Sequence, residues 1–146
     1  QLPADSDIII GLGLIEYFDN SEDLVKKLYS ALTADGKLIL SFPNLYSLDY
    51  ISIQLLSPFR YLARIITGKS TYQPPRKLWS QKDAKDLFTE AGFRNLEIVN
   101  YNVNVFAYPF TRISMTSTNF WARKLEYSSL SRCGFLATGF LISGRK

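Results

Sequence analysis

The sequence has no histidine and a single cysteine, Cys133, in 146 residues. Without histidine, a Ser-His-Asp triad, a histidine general base and a His-ligated metal are excluded within this chain. One cysteine excludes an internal disulfide framework and any multi-cysteine zinc site. Long hydrophobic runs are missing too. A membrane span needs roughly 18 consecutive apolar residues, whereas the longest clean run, Ile8 to Ile15, is short and contains Gly11 and Gly13. No basic segment followed by an apolar one opens the chain, so no secretory signal and no transmembrane segment is read, and the expected location is cytoplasmic. The first residue is Gln1 rather than Met, and the expectation is a piece of a longer protein.

What is present is enough to build a core. Apolar residues make up 47% and charged residues 21% of the chain, a globular composition of single-domain length. The net charge of +4 is unevenly spread. Residues 1–50 hold three cations and eight acids, a balance of −5, and residues 51–146 hold fourteen cations and five acids, a balance of +9. Such asymmetry marks either one face for an anionic partner or a surface of scattered lysines and arginines.

The order of elements is legible from period and punctuation. Asp7-Ile8-Ile9-Ile10, stopped by Gly11, predicts a short strand buried on both faces. Leu14 to Phe18 predicts a short helical turn. Asn20-Ser21 with Glu22 and Asp23 predicts a helix start. Leu24, Leu28 and Leu32 give its apolar stripe, and Asp35-Gly36 is expected to end it with Gly36 in a left-handed position. Lys37 to Phe42 predicts a second strand closed by Pro43-Asn44, which completes a βαβ unit with parallel strands. Residues 45–79 read as a long insertion, helical around Leu48 to Leu56 and Tyr61 to Ile66, then a loop holding Pro74-Pro75. Ser80 opens a further helix, with Asp83 three residues on and Gly92 at its end. Leu96 to Val105 predicts a strand, residues 107–132 are irregular, and Phe135 to Ser143 predicts the last strand, with Gly134 and Gly139 marking bends or bulges. The sum is an α/β sandwich with helices covering a mainly parallel sheet.

Gly11-Leu12-Gly13-Leu14-Ile15-Glu16 lies one residue off a dinucleotide fingerprint. It follows a strand, but its third glycine is a glutamate and the main helix starts later, so a phosphate cradle is not expected. A turn beside a ligand cleft and a purely structural turn both remain open. The stretch 60–85 carries Arg60, Arg64, Lys69, Arg76, Lys77, Lys82 and Lys85 against Asp83, with Tyr61, Tyr72 and Trp79 interleaved. It reads as the basic outer face of a lid, or as a contact for an anionic partner such as RNA or a membrane surface.

Taken in order, four segments resemble the C-terminal half of a class I S-adenosylmethionine-dependent methyltransferase, from the fourth strand onward. Asp7-Ile-Ile-Ile-Gly-Leu-Gly-Leu-Ile-Glu-Tyr-Phe-Asp looks like the fourth strand and its turn. Leu32-Thr-Ala-Asp-Gly-Lys-Leu-Ile-Leu-Ser-Phe-Pro-Asn looks like the fifth strand and the helix end before it. Trp79-Ser-Gln-Lys-Asp, with Leu87-Phe-Thr-Glu-Ala-Gly-Phe93, looks like the helix before the sixth strand, and Gly139 to Lys146 looks like the seventh, antiparallel strand. Order and spacing agree across nearly the whole chain.

The resemblance implies a Rossmann-like methyltransferase sandwich with 1–146 as the C-terminal part of one domain, 45–79 as a lid and S-adenosyl-L-methionine as cofactor. Gly11, Leu12 and Gly13 would line the cofactor cleft. Glu16 matches an acidic site position, and Tyr17 stands where the family often has histidine. With a reference pKa of about 10, a tyrosine is a poor base, which puts histidine-type proton removal in doubt. Asn44, Tyr46 and Tyr50 would face the acceptor: a small molecule, a lipid or a glycan. The family's glycine-rich loop and ribose-binding acid have no counterpart here, so the segment alone is expected to be inactive. The other expectations are a non-catalytic binding module that pairs, as a homo-oligomer or with a partner, through the edge of its first strand, and an RNA-binding or RNA-methylating domain.

Overall fold

The computed structural model describes residues 5–57, 77–103 and 133–146, with the single positions Phe120 and Lys124. Four strands form one sheet: β1 (Ser6–Gly11), β2 (Leu32–Pro43), β3 (Arg94–Val103) and β4 (Ala137–Arg145). Helices α1 (Ser21–Ser30), α2 (Leu48–Leu55) and α3 (Gln81–Glu90) accompany them among the described residues. Among the described residues no helix is long and apolar enough to cross a membrane.

The sheet order is β1-β2-β4-β3. β1 and β2 are parallel, as their βαβ connection requires. β4 enters antiparallel between β2 and β3. Three strands thus point one way, yet only one neighbouring pair is parallel, so the sheet is mixed rather than mainly parallel. Residues 58–76 of the expected lid, the cations Arg60, Arg64, Lys69 and Arg76, and the irregular 107–132 stretch lie outside the described residues apart from Phe120 and Lys124.

Helix starts follow their caps. The Asn20 side chain accepts from the Asp23 N–H at 3.2 Å, and the Ser80 hydroxyl accepts from the Asp83 N–H at 3.0 Å, each satisfying one donor that the first turn leaves open. At the end of α3, Gly92 adopts φ +99° and its N–H bonds the Thr89 carbonyl at 3.0 Å. The end of α1 corrects the reading. The helix stops at Ser30, Leu32 already belongs to β2, and Gly36 lies inside that strand without a left-handed φ. The i+8 spacing of Leu32 mimicked a third turn, although the residue is buried from the strand instead.

One face of the sheet carries the core. Leu38, Leu40, Phe42, Phe140 and Ile142 pack against Val25 and Leu28 of α1 and Ala84, Leu87 and Phe88 of α3. The Phe42 ring stacks on Phe140 at 5.5 Å and meets Trp79 edge-on at 5.4 Å. The opposite face is barer. Ile8 and Ile10 are each 61% exposed and Val99 is 59% exposed. β1 is therefore not buried on both faces. Its apolar run reads the same whether a second layer covers it or not, and here only Ile9 packs on the core.

Candidate functional site

The polar and glycine-rich exits of β1 and β2 lie at the same edge of the sheet, because the two strands are parallel and in register from Ile8–Lys37 to Gly11–Leu40. Ligands of open α/β sheets bind at such carboxyl ends.

The β1 exit is a bare turn. Leu12 is 68% exposed. Gly13 has φ +62°, and a Cβ there would meet nothing within 4 Å, so the backbone lies open to a close approach. The Gly13 N–H donates to the Ser41 hydroxyl at 2.7 Å. A single 3-10 turn, Ile15–Tyr17, follows, anchored by the fully buried Ile15. It presents Glu16 half-buried and Tyr17 exposed. The Glu16 carbonyl accepts the Lys77 N–H at 3.1 Å, which ties this turn to the segment leading into α3.

The β2 exit is the opposite. Asn44 is buried, and its Nδ2 donates to the carbonyls of Gly134 at 2.7 Å and Ala137 at 2.9 Å. Its Oδ1 accepts the Tyr46 N–H at 3.1 Å. With both amide hydrogens and the oxygen committed, Asn44 braces the turn, and its amide is not directed at an acceptor. Tyr46 is exposed and lines a cavity of about 430 Å³ with Asn44, Ser80, Gln81 and Phe135. Tyr50 sits apart on α2, where its hydroxyl accepts from Gln54 Nε2 at 2.7 Å, and it lines neither described cavity.

A second groove of about 280 Å³ opens between the start of α1 and one side of α3. It gathers Asp19, Glu22, Asp83, Asp86 and Glu90 around Lys77. The Lys77 ammonium lies 4.3 Å from the centre of the Trp79 ring, a cation–π seat. No metal-holding cluster of acids and cysteine is present among the described residues.

The sequence did not point to Ser41 or Tyr101, and it marked Gly139 only as a bend or bulge. Tyr101 of β3 pairs with Gly139 of β4, which pairs with Pro43 of β2. A Cβ at Gly139 would overlap the Tyr101 ring, so the ring lies over the strand where a side chain is missing. Burial pushes the Tyr101 hydroxyl above its ordinary pKa, and the charge of Glu16 adds to the rise. Tyr101 therefore stays protonated at neutral pH and is a donor, not a base. A glycine inside an apolar strand was the one available signal, and it was read as a bend. The register is unbroken there, and Gly139 instead admits a neighbour's ring.

The residues present fit S-adenosyl-L-methionine in part. The open backbone at Gly13 beside exposed Leu12 suits one wall of a large ligand. The described residues offer no glycine-rich phosphate-type loop at a helix start.

No protein-family model and no curated sequence matches the chain. Solved structures do match in shape. A SAM-dependent methyltransferase from Thermotoga maritima superposes with a TM-score of 0.59 at 17% identity, covering 99% of this chain and 58% of its own. One from Archaeoglobus fulgidus gives 0.57 at 16% identity, over 99% and 61% of the two chains. Phosphoethanolamine N-methyltransferase 2 of Haemonchus contortus, bound to phosphomonomethylethanolamine and S-adenosylhomocysteine, gives 0.52 at 14% identity, over 99% and 34%. The chain thus has the α/β, Rossmann-like fold of SAM-dependent methyltransferases and spans about three-fifths of the length of the first two.

Proposed function

We propose that this chain supplies the acceptor side and one wall of the cofactor cleft of a SAM-dependent methyltransferase, its strands serving as the fourth to seventh of the family's sheet. The observation that supports this best is the strand order β1-β2-β4-β3 with β4 alone reversed, joined to the bare Gly11-Leu12-Gly13 turn at the carboxyl edge. In this reading Gly11, Leu12 and Gly13 border the cofactor, whose sulfonium supplies an activated methyl group when bound. Glu16 and Tyr17 face the acceptor, and Tyr46 with Phe135 shapes its pocket. Asn44 holds that pocket's floor, and Tyr50 packs the helix above it.

Holding an already nucleophilic acceptor in line with the methyl is most of the chemistry. An alcohol would need a base, for which Glu16, or failing it Asp19, is the nearest group. The acceptor class remains a small molecule, a lipid or a glycan. The RNA reading is weaker: Lys77, one of the described cations of 60–85, lies among the acids of the groove between α1 and α3, which repel phosphates.

A second reading has support of its own. β1 is an edge strand of the described sheet, and Ile8 and Ile10 are exposed on it, a surface suited to pairing with a further strand. A non-catalytic module would use that edge for a second copy or a partner chain.

The test is to read the gene upstream of the Gln1 codon, express the whole open frame and titrate it with S-adenosylhomocysteine. One-to-one binding with methyl transfer to some acceptor is expected. A whole product that neither binds S-adenosylhomocysteine nor turns over, yet oligomerises through β1, sinks the enzyme reading and leaves the module.

A further inference from the structure

We propose that the cavity beside the β2 exit selects a flat apolar group that carries a hydrogen-bond donor, an amine or an alcohol, and that Gln81 is the residue that reads the donor. Calling that group the methyl acceptor rests on the methyltransferase reading. The selectivity rests on the geometry of the cavity alone.

The cavity of about 430 Å³ has the size of a small-molecule site. Tyr46 and Phe135 both line it and both are exposed, so the core does not consume their rings. Such rings favour a flat apolar partner. Two of the polar side chains around them are spent inside the protein. Asn44 commits both amide hydrogens and its oxygen, and the Ser80 hydroxyl accepts the Asp83 N–H to cap α3. Gln81 is different. Its Nε2 donates to Asn100 Oδ1 at 2.8 Å, which fixes the orientation of the amide and leaves Oε1 as an acceptor to be filled from the cavity.

Gly134 makes the room for that amide. A Cβ at Gly134 would lie 3.1 Å from Gln81 Nε2 and 3.9 Å from Oε1, so the amide rests against bare backbone. That backbone is held in turn, because Asn44 Nδ2 donates to the Gly134 carbonyl at 2.7 Å. The amide oxygen thus sits beside the residue that precedes Phe135, next to the apolar wall. Lys82 and Asp83 also line the cavity, but both are exposed and of opposite charge, so water screens them and they discriminate little. A ligand with a donor pairs the Gln81 oxygen, whereas one without a donor strips its water and returns nothing. A glycan, with hydroxyls all round, would find too few partners here and would waste the two rings.

The experiment titrates the whole-frame product with benzylamine, benzyl alcohol, toluene and methyl glucoside, and follows the Gly134 backbone amide and the Gln81 side-chain amide by NMR. The same titrations are run on Q81L, Q81E and F135A. Benzylamine or benzyl alcohol is expected to shift both signals and to bind about fivefold tighter than toluene, the size of one neutral hydrogen bond. Q81L brings the preferred probe down to the level of toluene, and Q81E, which keeps an acceptor oxygen, restores the preference. F135A weakens toluene and the donor-bearing probes alike. Equal binding of toluene and both donor-bearing probes overturns the proposal, as does a Q81L variant that keeps the preference, a methyl glucoside that binds tighter than the ring probes, or no binding of any probe. If Q81L does not fold, Q81A removes the same amide and settles the same point. S-adenosylhomocysteine is titrated in parallel. If it does not bind while the preferred probe does, the methyltransferase reading falls and the selectivity of the cavity stands.

Discussion

The two strand exits at the carboxyl edge are built in opposite ways. The β2 exit is saturated. Asn44 makes three side-chain hydrogen bonds, its own N–H bonds the Thr138 carbonyl at 3.0 Å, and the Pro43 carbonyl and Leu45 N–H both pair with Trp79 at 3.0 Å. The β1 exit is sparse, with one hydroxyl on one amide and an exposed leucine beside it. The difference teaches that a polar residue at a strand end can be wholly structural. The exit whose backbone is left uncovered is the one the proposed function gives to the cofactor. Rigidity on one side and a lightly held turn on the other is an arrangement that lets a cleft close on something without deforming the sheet.

That contrast can be broken from its strong side first. Asn44→Ala removes three bonds and strands two carbonyls, so at about 1 kcal/mol each the loss in unfolding free energy should be about 3 kcal/mol, read from a denaturant midpoint. A loss under 0.5 kcal/mol, on the order of an ordinary surface change, would show that the β2 exit is not the brace. Gly139→Ala comes next. Forcing a methyl into the Tyr101 ring should cost about 2 kcal/mol, as overpacking does, with the damage centred on the Tyr101 ring and the Phe42 carbonyl beside it. Ser41→Ala should cost about 1 kcal/mol, because water can reach the freed amide, and equal costs for Ser41→Ala and Asn44→Ala would erase the contrast.

The smallest effect belongs to a pair that touches neither exit. Lys37 bridges to Glu97 at 3.3 Å from β2 to β3, and Ser143 between them also donates to that carboxylate at 3.2 Å. The hydrogen bond and charge of Lys37, then the Ser143 hydroxyl, hold the Glu97 carboxyl below its ordinary range. A carboxylate with a lowered folded pKa contributes stability above its unfolded pKa and loses it as pH falls through the folded value. Thermal melts from pH 6 to pH 3 should show this decline, Glu97→Gln should flatten it, and 1 M salt should shrink it, since both groups face solvent. Neither exit should respond.

The helices were legible because their signals are local. Asn20 and Ser80 each reach an amide three residues on, and Gly92 supplies the positive φ that ends α3. Leu32 misled because three leucines at i, i+4 and i+8 fit a helix or a helix running into a buried strand equally well. The exposure of Ile8 and Ile10 was illegible for a similar reason: an apolar run says that burial is possible, not that a layer is there. At the site, the Gly11-Leu12-Gly13 turn could be read as unusual, and the structure leaves it open. For Asn44, turn closure and ligand contact read alike, and its bonds to the distant carbonyls of Gly134 and Ala137 have no signal in the sequence. The close approach of the Tyr101 ring to Gly139 joins residues that no periodicity relates, and the sheet order that brings them together has no local signature.

The place of β4 has a consequence in time. It is the last strand of the four along the chain and yet an inner one, hydrogen-bonded to β2 on one side and β3 on the other. β1 and β2 share a short connection and can pair early, but among the described strands β3 has no partner until residues 137–145 arrive. During synthesis β2 and β3 therefore wait for the strand that carries Gly139, which joins them in a single late step.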